Sequence, residues 1–347
     1  MPVVKVTTSS PHARWPIARQ TPGGLAKWGD YHFVINQDIP ACDAWVVIDD
    51  LQYRESCPCP PQRTILASTE PPIHGRYYEA FLAQFGLVVT CGGYDYRQPN
   101  VYESFPLQPW YFALNCATNR PNRIASQPSY FTYDQIKSLQ PSKTRLLSVV
   151  CSAKVHSEGH KKRLEFVTAL KRHFGDRLDW FGIGIRPIVD KSEAILDYKY
   201  HIAIENSCYP HYWTEKLADS YLGWALPIYY GCPNVTDYFD QRAMVRINLE
   251  DLDASISSIE NALKTDAWEV SQGAIAQARQ TVLDQYNFFP FVISLLSTLG
   301  SSGEGSRVVL RPHSHFVGRL RTSLQKAKAK LQFGWGITNL LPFLRKI

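Results

Sequence analysis

Apolar residues occur along this chain in short runs divided by turn-forming residues, with stretches of helical spacing between the runs. In the first half, AWVVIDDL (44–51), RTILAST (63–69) and FGLVVTCG (85–92) read as buried strands. YYEAFLAQF (77–85), lying between two of them, reads as a helix. The second half repeats this rhythm more cleanly. LLSVVCS (146–152), LDWFGIG (178–184), YHIAIENS (200–207) and LPIYYG (226–231) are the expected strands. HKKRLEFVTALKRHF (160–174) places Leu164, Val167 and Leu170 on one helical face and basic residues opposite. KSEAILDYK (191–199), TEKLADSYLGW (214–224), DASISSIENALK (253–264) and the long stretch 270–299 complete the predicted helices. Strand and helix alternating at this spacing predict α/β units around mainly parallel sheets.

Residues 115–145 are polar and punctuated by proline, which marks the expected boundary between two units. The expected division is therefore 1–140 and 141–305, both Rossmann-like, followed by a tail at 306–347. The net charge of +6 changes this picture only at one end. Eight basic and no acidic residues lie between Arg311 and Ile347, leaving 29 basic against 31 acidic residues elsewhere. A body of that balance has no general affinity for polyanions, so no nucleic-acid partner is expected. The segment 319–347 sets its lysines and arginines among Leu, Phe and Trp, a composition suited to an anionic membrane surface. The eight cysteines lack zinc-like spacing, and several fall in strand-like runs, which suits buried, reduced thiols. The opening MPVVKVTTSSPHARW lacks the apolar core of a signal peptide, and no run of about 18 apolar residues occurs. The expected location is cytoplasmic, peripheral on the inner face of the plasma membrane.

The densest chemistry lies in ENSCYPHYWTEKLADSYLGWALPIYYG (205–231). Ligands of doubly wound sheets sit outside the carboxyl ends of strands, and a helix N-terminus there suits a diphosphate. Lys216 adds a cation, and Glu215 can accept two hydrogen bonds from a ribose diol. A capped helix alone would account for Thr214 as N-cap and for Glu215 in the first turn. It would not account for Lys216 in that turn, or for Glu205 and Asn206 at a strand's carboxyl end.

The segment YKYHIAIENSCYPHYWTEKLADSYLGWALPIYYGCPNVTDYF (198–239) resembles the signature of the α1,3/4-fucosyltransferases, glycosyltransferase family 10. That signature reads Y-K-F, an apolar run, E-N-S, a spacer, Y-[VW]-T-E-K-[LI], an apolar helix and P-[IV]-x-x-G. Residues 148–182 resemble the preceding βαβ unit, while the first half is only loosely similar. The resemblance implies an α/β fold of GT-B type, with two Rossmann-like domains facing across a cleft and GDP-fucose held by the second. It also implies roles: Arg163 on the diphosphate, Asn206, Tyr212, Glu215 and Lys216 on the nucleotide sugar, with Glu205 and Thr214 completing that group. Many members carry Ser-Asn where this chain has Ser152-Ala153, so a donor contact made by that asparagine is not carried over. Basic neighbours Lys161 and Lys162 leave open a solvated-face reading of Arg163.

The implied reaction is inverting transfer of fucose to a glycan hydroxyl, with Arg163 and Lys216 meeting the charge that develops on the leaving diphosphate. No cofactor and no metal are expected. The Asp-x-Asp pair in EDLD (250–253) directly precedes a helix, and Asp253 fits its N-cap. The acceptor hydroxyl needs a general base. Glu70, after an apolar strand and before two prolines, is the candidate, with Asp49, Asp50 and Asp95 as the other carboxylates in play. His74 is a further candidate acceptor contact. The partners implied are a nucleotide-sugar donor and a glycan acceptor such as lipopolysaccharide or another lipid-linked glycan. Two alternatives remain: the same mechanism with another nucleotide sugar, or an inactive scaffold that binds glycans or membrane.

Overall fold

The computed structural model describes residues 1–9, 15–72, 77–96, 98–115, 129–155, 157–300 and 305–317. The tail 319–347 and His74 lie outside them. Among the described residues the strands are β1 Val3–Thr8, β2 Lys27–Trp28, β3 Tyr31–Ile35, β4 Ala44–Ile48, β5 Glu55–Cys59, β6 Thr64–Ala67, β7 Leu87–Thr90, β8 Val101–Glu103, β9 Arg145–Val150, β10 Leu178–Phe181, β11 Tyr198–Ile204, β12 Leu226–Tyr230, β13 Val245–Arg246 and β14 Ser306–Leu310. The helices are α1 Glu79–Leu82, α2 Tyr133–Lys137, α3 Glu158–Phe174, α4 Glu215–Leu222, α5 Leu252–Lys264, α6 Ala267–Val270, α7 Gln272–Asp284 and α8 Phe288–Thr298.

The strands form two large sheets, ordered β2-β3-β1-β4-β6-β7-β8 and β10-β9-β11-β12-β13. Every pairing in them is parallel except β2 with β3. In each sheet the first long strand lies inside and the chain winds outward from it in both directions. The crevices where winding reverses lie between β1 and β4 and between β9 and β11. This is the expected α/β architecture, two mainly parallel, Rossmann-like sheets.

The two halves share one hydrophobic core, running from Val4 and Phe33 through Phe105, Trp213 and Tyr221 to Phe289 and Leu296. Phe105 stacks on Trp213 at 4.7 Å and meets Phe291 edge-on at the same distance. Such an apolar junction is more extensive than the polar contact typical between independent domains. The connection between the sheets is itself buried from Ser104 to Leu107 and again at Trp110 and Phe112. Arg19, also buried, donates to the carbonyls of Trp110, Phe112 and Phe131.

Several boundaries differ from expectation for identifiable reasons. The predicted helix 270–299 is two helices, broken at Asn287, whose side chain caps α8 and donates to the Gln20 carbonyl at 2.7 Å. From that break α8 returns to the first half, where Phe289 meets Phe33 edge-on at 4.8 Å. The division at residue 305 also fails. β14, at the start of the expected tail, pairs antiparallel with β5, and Leu310 is fully buried in the first half. The cap of α5 is Asp251, not Asp253: its Oδ1 accepts from the Ala254 N–H at 3.0 Å. Among the described residues no helix is long and apolar enough to cross a membrane.

In the second sheet His201 of β11 is buried against the Ser148 hydroxyl, 2.8 Å from its Nδ1. Burial first, then Lys191 and Lys143, push its imidazole down to about 3. The group is neutral when folded but titrates normally when unfolded. Its contribution is therefore complete above the unfolded value near 6.5 and is lost as pH falls toward 3. Between pH 7 and pH 5 this removes about 2 kcal/mol. Urea unfolding at the two pH values should show that loss, and the slope should flatten in His201→Gln.

Candidate active site

The site begins at the crevice between β9 and β11. β11 ends in Glu205, whose carboxylate is buried. Its oxygens accept from the Thr214 N–H at 2.8 Å and from the Thr214 hydroxyl at 3.0 and 2.8 Å, and Lys216 Nζ lies 3.3 Å away. Burial raises the Glu205 carboxyl, against the opposing pull of Lys216. Both oxygens are thus committed to protein groups. Glu205 thereby anchors the start of α4. Thr214 likewise faces inward, capping α4 through its hydroxyl, which accepts from the Lys216 N–H at 3.3 Å.

Gly231, at the end of the same motif, is required by this arrangement. A Cβ there would stand 2.8 Å from Glu205 Cβ and 2.6 Å from the Tyr229 hydroxyl. Gly231→Ala should destabilise the fold by about 1–3 kcal/mol and weaken ligand binding by displacing Glu205. Chemical denaturation and calorimetry on the same preparation would check both.

Lys216 Nζ is gripped by Thr214 Oγ1 at 3.1 Å and Glu215 Oε1 at 3.2 Å as well as by Glu205. Burial alone would depress this ammonium, yet Glu215 and Glu205 hold it above the ordinary lysine value. Glu215, despite burial, is drawn down to about 2 by Lys216 and then Lys191. From α3, Arg163 reaches into the same crevice and donates to Asn206 Oδ1 at 2.5 Å. It is buried, so the solvated-face reading fails, and its Nε–H has no partner among the described residues. A buried unpaired guanidinium N–H is unfavourable and calls for an acceptor. Arg163 is close enough to Lys216 to oppose its charge.

Between Asn206 and Thr214 the loop turns sharply at His211, which has φ of 63°. Asn234 accepts from the His211 N–H at 2.7 Å, and the Tyr238 hydroxyl meets the His211 ring at 2.7 Å. These anchors leave Tyr212 buried beside the crevice. The loop meets the first half directly, where the Gly92 N–H donates to the Pro210 carbonyl at 2.8 Å. Gly93, with φ of 93°, packs between Tyr209 and Pro72; a Cβ there would lie 2.5 Å from the Tyr209 ring.

Pro72 belongs to the loop carrying Glu70. The Tyr94 hydroxyl donates to the Glu70 carbonyl at 3.0 Å. Asp49, itself at φ of 62°, accepts from the Thr69 N–H at 2.7 Å and the Thr69 hydroxyl at 2.6 Å. Asp50 accepts the N–H groups of Leu51 and His313. Asp49 therefore shapes the loop, Asp50 secures the segment at His313, and Glu70 is exposed. The Tyr212 hydroxyl is pushed well above the usual phenol range by burial, then by Glu205, Glu215 and Glu70. One tyrosine therefore senses charge from both sides of the cleft.

Two members of the cluster escaped sequence reasoning, Lys191 and Asp219. Lys191 Nζ lies 3.3 Å from Glu215 Oε1 and 3.0 Å from Asp219 Oδ2. The available signal was Glu215 and Asp219 one turn apart on a buried helix, a pair of like charges that needs a shared cation.

Comparison with known proteins adds the following. Residues 140–254 match the model for Glycosyltransferase family 10 (fucosyltransferase) C-term. The chain is 27% identical over 211 residues to 4-galactosyl-N-acetylglucosaminide 3-alpha-L-fucosyltransferase FUT5 of Homo sapiens, covering 57% of this chain and 48% of that protein. It is 33% identical over 61 residues to Alpha-(1,3)-fucosyltransferase FucT of Helicobacter pylori, covering 18% of this chain and 13% of that protein. The chain thus spans about half, or less, of the length of these curated relatives. A solved alpha1,3-fucosyltransferase with GDP superposes with a TM-score of 0.48 at 16% identity, covering 86% of this chain and 90% of the other.

Proposed function

We propose that this chain, whose residues 140–254 form a glycosyltransferase family 10 domain, transfers fucose from GDP-fucose to a glycan hydroxyl with inversion and without a metal ion. The observation that carries this reading is the clustering of Arg163, Asn206 and Lys216 at the β9/β11 crevice, opposite the loop of Glu70. Arg163 retains an unpartnered buried N–H in that crevice, the kind of donor a phosphate oxygen satisfies.

In the proposed reaction the acceptor oxygen attacks C1 of fucose from the face opposite the diphosphate. The C1–O bond to phosphate breaks, and its electron pair leaves with GDP. The hydroxyl proton passes to the Glu70 carboxylate. Charge growing on the β-phosphate oxygens is met by Arg163 and by Lys216, which exchanges part of its carboxylate contacts for the ligand. Glu215 accepts from the ribose diol, and Tyr212 and Asn206 close the site around the nucleotide sugar.

The acceptor class we favour is a lipid-linked glycan such as lipopolysaccharide, met at the inner face of the plasma membrane with the basic segment 319–347 on anionic lipid. Incubation with GDP-fucose labelled in the sugar and a panel of glycans, with and without EDTA, tests the reaction. Label transfer that survives EDTA supports it. Loss of transfer in EDTA, or labelling from a different nucleotide sugar only, overturns the corresponding part.

A further inference from the structure

Behind Glu215 lies a chain of charges that reaches the connection between the two sheets. Asp219, one turn along α4 and fully buried, points one carboxylate oxygen at the backbone N–H groups of Tyr111 and Phe112, at 3.2 and 3.0 Å. Its other oxygen holds Lys191 at 3.0 Å. Lys191 opens a short 3-10 turn (Lys191–Ala194) capped reciprocally by Asp190 and Glu193, so its backbone is fixed. Its ammonium lies over the Tyr111 ring, 4.9 Å from the centroid, and 3.3 Å from Glu215 Oε1. Lys216 grips that same oxygen, which leaves Oε2 outside the grip of both lysines. Burial alone would lower the Lys191 ammonium, but Asp219 and then Glu215 hold it above the ordinary lysine range.

We propose that Lys191 is a positioning residue for ribose recognition. It orients the Glu215 carboxylate so that Oε2 faces the diol, and Asp219 fixes Lys191 in turn against the connection at Tyr111–Phe112. This rests on the reading of Glu215 as the ribose contact. Without Lys191 the carboxylate would be held only from the side of Lys216 and Thr214 and would swing away from the sugar. Recognition of the nucleotide's ribose thus depends on how the connection between the halves is seated, through two side chains that touch no ligand.

The test is calorimetric titration with GDP, 2′-deoxy-GDP and 3′-deoxy-GDP. Wild type should bind at least one deoxy analogue about tenfold or more weakly than GDP, the loss of one charge-assisted hydrogen bond. In Lys191→Met this discrimination should collapse to within about twofold, and Lys191→Arg should restore it. Asp219→Asn keeps the oxygen that takes the two N–H groups while removing the carboxylate charge that holds Lys191. It should weaken discrimination as well, and it carries the test if Lys191→Met fails to fold. Discrimination unchanged in a folded Lys191→Met or Asp219→Asn overturns the proposal alone. Equal binding of all three nucleotides by wild type overturns the ribose role of Glu215 and the proposal with it. No binding of GDP by wild type overturns the donor reading beneath both.

Discussion

Glu70→Gln should lower fucosyl transfer by roughly 10²–10⁴-fold while leaving GDP affinity within about twofold. The substitution preserves size and hydrogen bonding but removes the lone group proposed to take the acceptor proton. Its scaffold should survive, because the loop is held by backbone and by other side chains. Asp49 clamps Thr69, Tyr94 binds the Glu70 carbonyl, and Pro71 and Pro72 fix the turn. Nucleotide binding should be spared because the proposed phosphate contacts lie in the other half, at Arg163 and Lys216. Transfer assays paired with GDP titration check both. Wild-type turnover in the variant would remove Glu70 from the mechanism and turn attention to Asp95, another candidate carboxylate of the sequence.

Lys216→Ala should have the largest combined effect. GDP affinity should fall by about ten- to a hundredfold, the loss of a charge-assisted contact to the diphosphate. The fold should also suffer, because Glu205 would remain buried with no adjacent cation. Breaking such a pair costs roughly 3–5 kcal/mol. This penalty has a pH signature. Burial already raises the Glu205 carboxyl, and removal of Lys216 raises it further. The folded variant then binds a proton that the unfolded chain releases, so its stability decreases as pH rises. The deficit relative to wild type should be smaller near about pH 5.5 than near about pH 8. Lys216→Arg should recover most of the stability. Unfolding curves for the three proteins at both pH values would check the sign.

The signature loop was legible because its chemistry opposes its secondary structure. A lysine in the first turn of a helix and a carboxylate ending a strand are poor choices for folding alone, and both lie in the crevice. The strands β4, β6, β7, β9, β11 and β12 were legible because the run each lies in holds three or more consecutive apolar residues. β1 was not, although it is the interior strand from which the first sheet is wound. Its run is broken by Lys5, which is buried nonetheless because Glu55 lies 2.8 Å away and the Trp45 ring 4.6 Å away. Neither neighbour is adjacent in sequence. The break between α7 and α8 falls at Asp284–Asn287 within a stretch of otherwise helical spacing, where Asn287 caps α8 and contacts Gln20 across the chain.

Arg163 shows the limit from the other side. Flanked by Lys161 and Lys162, it is indistinguishable by pattern from a solvated residue. Its burial comes from the approach of α3 to Asn206, a contact across 43 positions. Lys191 was invisible for a similar reason: its partners Glu215 and Asp219 belong to a different βα unit.

The central claim is that the β9/β11 crevice takes guanosine diphosphate without a metal ion, its phosphates met by Arg163 and Lys216. Calorimetric titration of the purified chain with GDP, UDP, CDP and ADP, first in EDTA and then with manganese, tests it most directly. The account predicts GDP binding in EDTA, unchanged by manganese and at least about tenfold tighter than the other nucleotides. Preference for another nucleotide, dependence on manganese, or no binding at all would contradict it.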